Sequence, residues 1–320
     1  MEQSAKSAAI QIVRYDELEP CFDAFIDTRT PGSDKKENFT IIGPGVSENP
    51  NQHVHIAVPH GFNIGGARQP PGCVNSQHSH NTAEFFYVHT GSWSFDLGEK
   101  GEDASVILHP GDAISIPTHV FRGFTNVGED TGFLFAVLGG DDPGRVTWAP
   151  DVFDMAEEYG LVLLESGMLI DTANGETLTG DMKPMPRTTR DQVEALKRLD
   201  GKALRACCVQ ADDDIPATDE DGVLRRRIVH KDGQLSWTHE FAVEELRIEP
   251  GARLELGSEP RNQVVFAQSG EVEISAQGHA VLRKGDTATV EPGVARTLTN
   301  RSGEPAIAVL VTATDFAKAG

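Results

Sequence analysis

The feature that most constrains this chain is a run of short β-type segments broken by Gly- and Pro-containing turns, which occurs twice. In the first run, residues 84–88, 93–97, 105–108, 113–116 and 132–138 carry aromatic and β-branched side chains. Thr90-Gly91, Pro110-Gly111 and the stretches 98–101 and 128–130 separate them. Strands this short bury little surface singly and must pair with neighbours, so the pattern predicts an antiparallel sandwich or barrel. A second run of the same kind covers residues 241–314.

The two runs read as copies of one unit. Pro71-Gly72 lies on Pro250-Gly251 at an offset of 179, which also sets Glu84 on Gln263 and Gly91 on Gly270. Further on, Gly111-Asp112 lies on Gly285-Asp286 and Asn126 on Asn300, at an offset of 174. The difference falls between Gly91 and Gly111, where the first copy has the longer hairpin. Gly91, Gly111, Gly270 and Gly285 then read as turn residues, and Asn126 and Asn300 as groups that satisfy backbone at a strand end.

Between the copies, residues 149–157 and 189–199 show helical spacing, with Thr189 as N-cap and Val193, Leu196 and Leu199 on one face. Residues 171–187 read as connecting loop and the acidic stretch 212–221 as an exposed one. The expected organisation is therefore an N-terminal arm (1–37), a first barrel (38–145), a helical and loop linker (146–205) and a second barrel (206–320). Within the arm, residues 10–13 and 21–26 are apolar enough to pack on something. A length of 320 residues agrees with two domains.

Charge narrows the partners. Against 28 Lys and Arg stand 49 Asp and Glu, a net charge of −21 that repels phosphate, so neither nucleic acid nor an anionic membrane surface is expected. No apolar run approaches a membrane span, and nothing near Met1 reads as a signal peptide. Cys21, Cys73, Cys207 and Cys208 contain no CxxC and suggest neither a zinc-thiolate site nor a disulfide framework. A cytoplasmic, acidic protein is the expectation.

Chemistry concentrates in residues 72–91. His78, His80 and Glu84 are separated by even numbers, so on a continuous strand two imidazoles and a carboxylate face one way. That set suits one divalent transition metal ion, whether Fe, Mn, Ni, Zn or Cu. His53 and His55 also share a face but have no carboxylate at matching parity, while His89 and His109 read as surface residues. Phe86, Trp93, Phe95 and Phe124 are expected in the core or lining a pocket.

These residues resemble the cupin superfamily. Gly72-x5-His78-x-His80-x3-Glu84-x6-Gly91 matches the first cupin motif at every defined position, and Gly111-x5-Pro117-x-His119-x2-Arg122-x3-Asn126 follows the second with two departures. The resemblance, over residues 60–140 and 240–315, implies an all-β bicupin: two cupin jelly-roll (double-stranded β-helix) barrels with a few connecting helices. It also implies that members often pair, so a homodimer is expected.

The departures are specific. Arg122 stands where the family has its fourth ligand, a His, and a guanidinium has no lone pair to offer. Two readings stay open for it: binding an anionic group of the substrate beside a three-ligand ion, or pairing with Glu84 where no metal is present. His119 replaces the family's turn glycine and is expected at the barrel mouth contacting substrate, or simply exposed. In the second copy the ligand positions are Gly257, Glu259, Gln263 and Arg296, which predicts a degenerate barrel without metal and with a structural or dimerising role.

Two functional classes follow. The first is a metal-dependent enzyme in the N-terminal barrel, in first place an oxygenase acting on a small organic acid or aromatic, with decarboxylase, isomerase or lyase chemistry on the same ligands as alternatives. The second is a non-catalytic protein that binds a small anion. No helix-turn-helix accompanies the barrels, which disfavours a DNA-binding regulator.

Overall fold

The computed structural model describes residues 9–314. Its backbone divides into two compact units, one spanning Glu19–Asp213 and the other joining residues up to Leu18 with those from Asp214 onward.

The N-terminal unit is a jelly roll of two sheets, antiparallel except where 37–42 pairs in parallel with 54–56. One sheet runs in the order 208–209, 113–116, 84–90, 132–139, 62–69, 37–42 and 54–56, and the other in the order 147–148, 74–79, 122–126, 93–97 and 104–108. Phe85, Val88, Leu134, Phe135 and Val137 in the first sheet, and Trp93, Phe95 and Leu97 in the second, are essentially inaccessible. At about 25 cal/mol per Å² of apolar surface removed from water, such aromatic and aliphatic side chains dominate the stability of the unit.

The C-terminal unit repeats this layout. Its first sheet runs 10–13, 287–290, 263–269, 306–313, 241–248, 223–229 and 217–220, and its second 253–257, 296–299, 272–276 and 278–282. Leu246, Ile248 and Val265 from one sheet pack with Leu254, Ile274 and Leu298 from the other in a single core. The copies agree at hydrogen-bond level. The Asn126 amide donates to the carbonyls of Gln69 and Asp130, and the Asn300 amide to those of Ile248 and Glu304, at 2.8 Å each. Gly72 N–H donates to Asn126 O as Gly251 N–H does to Asn300 O, closing the same turn in both units.

The structure redraws the expected boundaries. No separate arm precedes the first barrel among the described residues: Ile10–Val13 is a strand paired with Thr287–Val290, whereas Phe25 and Ile26 join the N-terminal unit; residues 1–8 lie outside the described residues. The stretch expected as a linker folds into the N-terminal unit as well. Its helix Pro150–Glu158 buries Val152, Phe153 and Ala156 with Trp148, Phe121 and Leu163. Thr189 caps the helix Arg190–Ala195 through a reciprocal bond with Gln192, but that helix stops before Leu199, and a separate one covers Gly201–Arg205. Cys208–Val209, expected within the second barrel, instead pairs with Ile114 and Ala113. No helix among the described residues is long and apolar enough to cross a membrane.

Candidate metal centre

His78, His80 and Glu84 come together, by a route different from the parity argument. The strand Val74–Ser79 carries His78, and His80 follows it directly; Glu84 opens the strand Glu84–Thr90, which belongs to the other sheet. Convergence therefore comes from a tight turn between two sheets and not from one continuous strand. One donor atom from each residue lies within 4.8 Å of the others, and all three side chains are buried.

The local hydrogen bonds prepare the imidazoles as ligands. His78 Nδ1 lies 2.7 Å from Ser76 O, and since a carbonyl only accepts, Nδ1 carries the proton and Nε2 keeps its lone pair. His80 Nδ1 is buried with no hydrogen-bond partner, and its Nε2 stands 3.6 Å from Glu84 Oε2. Burial first, and then the charge of Arg122, push His78 down to about 3 and His80 well below the usual imidazole range. Both rings are thus neutral at physiological pH. Two neutral imidazoles and a carboxylate, inside a buried pocket with an orphaned ring nitrogen, fit a divalent transition metal ion.

Arg122 occupies the register position opposite His78 and is completely buried. Its Nη2 and Nε donate to the same Glu84 oxygen, Oε2, at 2.7 and 3.1 Å, and Nη1 donates to Val120 O at 3.2 Å. Burial raises the Glu84 pKa although Arg122 opposes it, and burial lowers Arg122 although Glu84 opposes that. The pair is held by geometry while desolvation works against it.

A cavity of about 90 Å³ opens on His78, His80 and Glu84. Its wall is mainly apolar, with Phe86, Phe124, Leu138 and Trp148 prominent, and Asn38 and Asn75 supply amides. Asn38 Nδ2 is buried without a partner. Neither Arg122 nor His119 belongs to this wall: the guanidinium sits behind Glu84, and His119 is exposed in a turn with φ 61°, its N–H bonded to His80 O. The left-handed backbone explains why glycine is usual at that place.

Other expectations resolve unevenly. Phe86 and Phe124 face the cavity, and Trp93 and Phe95 pack beside Phe124. His109 is exposed, but His89 is buried against Phe133, because the strand Glu84–Thr90 is covered on both faces. His53 and His55 stack edge-on at 4.4 Å near the surface, with Glu19 3.6 Å from His53. In the second unit Arg296 pairs in register with Gly257 and donates to Gln263 Oε1 at 3.3 Å, so the position of Glu84 holds an uncharged amide.

Sequence reasoning missed a buried frame behind His78. Asp27 and Lys36, both fully buried, form an ion pair, and Asp27 also accepts from Ser76 N–H, in the residue whose carbonyl holds His78. Trp148 pairs in register with His78, and its ring lies 5.4 Å from the imidazole. These residues fall in stretches without strand periodicity. Their immediate neighbours carried little signal: Lys36 stands between Lys35 and Glu37, and Glu48 between Ser47 and Asn49.

Two facing sheets with a buried His-His-Glu cluster at a cavity define a jelly-roll protein with a candidate metal centre. Residues 67–138 match the family described as cupin domain, and the second unit repeats the same two-sheet layout. Oxalate decarboxylase from Bacillus subtilis superposes with a TM-score of 0.59 at 14% identity, covering 95% of this chain and 76% of that one. The formate complex of Lactobacillus farciminis oxalate decarboxylase superposes with a TM-score of 0.59 at 13% identity, covering 95% and 86%. No curated protein matches the chain by sequence.

Proposed function

We propose that the N-terminal unit holds one divalent transition metal ion on His78, His80 and Glu84 and removes CO₂ from a small organic acid. The carrying observation is the buried, charge-poor ligand cluster at the wall of a small cavity. Decarboxylation is preferred over the oxygenase expectation because the structural relatives are oxalate decarboxylases, and none of those named is an oxygenase.

A bound ion supplies Lewis acidity toward a substrate oxygen. The chain supplies the rest. Ser76 O fixes the His78 ring so that Nε2 faces inward. Phe86, Phe124 and Leu138 exclude water and disfavour a charged carboxylate relative to neutral CO₂. In the reaction the bond to the carboxylate carbon breaks, its electron pair remains on the neighbouring carbon, and that carbon takes up a proton.

A second reading is favoured by the Arg122–Glu84 bond: a non-catalytic anion-binding bicupin in which the guanidinium takes the place of the ion. Untagged protein reconstituted with Mn²⁺, Fe²⁺, Co²⁺ or Zn²⁺ and analysed for metal separates the two. About one ion per chain, with CO₂ released from oxalate or a small monocarboxylic acid, supports the enzyme; metal-free protein without turnover supports the binder. A homodimer belongs to the same proposal, with light scattering as its measurement.

A further inference from the structure

We propose that the divalent cation and a small monocarboxylate bind this site as a coupled pair, each strengthening the other, because Arg122 already supplies a fixed positive charge beside the ligands. The inference rests on the metal reading above and concerns how that site is loaded.

A charge inventory carries it. His78 and His80 can donate only through unprotonated ring nitrogens and so bring no charge, Glu84 contributes one negative charge, and Arg122 returns one positive charge through its two bonds to Oε2. The four side chains therefore sum to zero before any ion arrives. Asp27 and Lys36 cancel each other, and Glu48 is driven toward its neutral form by burial. A divalent cation thus leaves two positive charges uncompensated in a pocket with a mainly apolar wall. In such a medium the repulsion between ion and guanidinium is weakly screened.

The deficit can be met from one side. Arg122 is sealed behind Glu84 and does not reach the cavity, so it cannot move away from the ligands without breaking its bonds to Glu84 and Val120. The cavity opens on His78, His80 and Glu84, so an anion entering there lies next to the cation. Phe86, Phe124 and Trp148 favour an anion with an apolar body over a compact inorganic one. By linkage, an anion that raises cation affinity has its own affinity raised by the same factor.

The test is calorimetric titration of Co²⁺ into the metal-free full-length protein, in benzoate and in chloride at equal ionic strength. Benzoate should tighten Co²⁺ binding by about tenfold. Arg122→His restores a lone pair and removes the fixed charge; it should bind Co²⁺ tightly in chloride and show a smaller benzoate effect. Arg122→Gln, which removes the charge alone, should show a smaller benzoate effect too and serves where the His variant fails to fold. Equal wild-type affinity in both anions overturns the coupling while leaving the metal reading in place. Co²⁺ binding in neither anion overturns both. A benzoate effect that persists undiminished in both variants overturns the role given to Arg122.

Discussion

Glu48 Oε1 accepts the indole N–H of Trp148 at 2.7 Å, while its other oxygen accepts the backbone N–H of Ile26 at the same distance. A single buried carboxyl thereby ties the segment before the first barrel strand to the residue that covers His78. Burial pushes the Glu48 pKa up to about 8, against the two hydrogen bonds that favour the charged form.

The raised value gives a signed pH dependence. Between the ordinary carboxylate range and about pH 8 the folded state holds a proton on Glu48 that the unfolded chain has released. Stability contributed by this group therefore falls as pH rises through that window. Glu48→Gln turns an amide toward one of the two N–H donors and costs about 1–3 kcal/mol, but it does not titrate. Urea unfolding at pH 5 and pH 8 should show the gap between wild type and variant narrowing at the higher pH. A gap that widens refutes the assignment.

The pair Asp27 and Lys36 predicts an effect of opposite sign. Burial opposes ionisation of Asp27, yet Lys36 and the Ser76 N–H hold its pKa below the usual value. Its contribution is present above the ordinary carboxylate pKa and is lost as pH falls below it. Asp27→Asn leaves Lys36 charged and buried, and should destabilise by about 3–5 kcal/mol. Adding Lys36→Met should recover most of that loss, which a double-mutant cycle of unfolding energies measures.

What could be read in advance follows from what is periodic. The jelly rolls were legible because turns and strands recur, and the offsets of 179 and 174 reappear as matching registers: Arg122 opposite His78, Arg296 opposite Gly257. The meeting of His78, His80 and Glu84 was legible as a motif, although the parity argument assumed one strand where the chain crosses between sheets. Arg122 was legible as a departure, and the bond to Glu84 was one of the two readings kept open for it. Its absence from the cavity wall was not legible, because the depth of a side chain behind its neighbour is a tertiary property. Asp27, Lys36, Glu48 and Trp148 were missed for a related reason. A buried charge differs from an exposed one by its partners, and these partners lie 9 to 100 positions away in the sequence.

Removal of single ligands should separate metal binding from folding. His78 and His80 contribute lone pairs to the centre but little to the main cores, which lie among Phe85, Trp93, Phe95 and their neighbours. His78→Ala and His80→Ala should each lower Co²⁺ affinity at least tenfold, since every lost ligand removes one of three protein donors. Circular dichroism and the unfolding midpoint of the metal-free protein should change little. Unchanged Co²⁺ binding in both variants would exclude these rings as ligands.

His119 offers a test that needs no ligand. Its backbone sits at φ 61°, a conformation that costs a residue with a side chain about 1–2 kcal/mol relative to glycine. The side chain is exposed, and its N–H bond to His80 O is a backbone interaction that glycine keeps. His119→Gly therefore removes strain without removing that anchor. Glycine also gains freedom in the unfolded chain, which offsets part of the relief, so a net stabilisation of about 1 kcal/mol is expected from urea unfolding. If substrate contact retains His119, the glycine variant should also bind a carboxylate ligand less tightly. Stabilisation with unchanged ligand affinity would assign the residue to the turn alone.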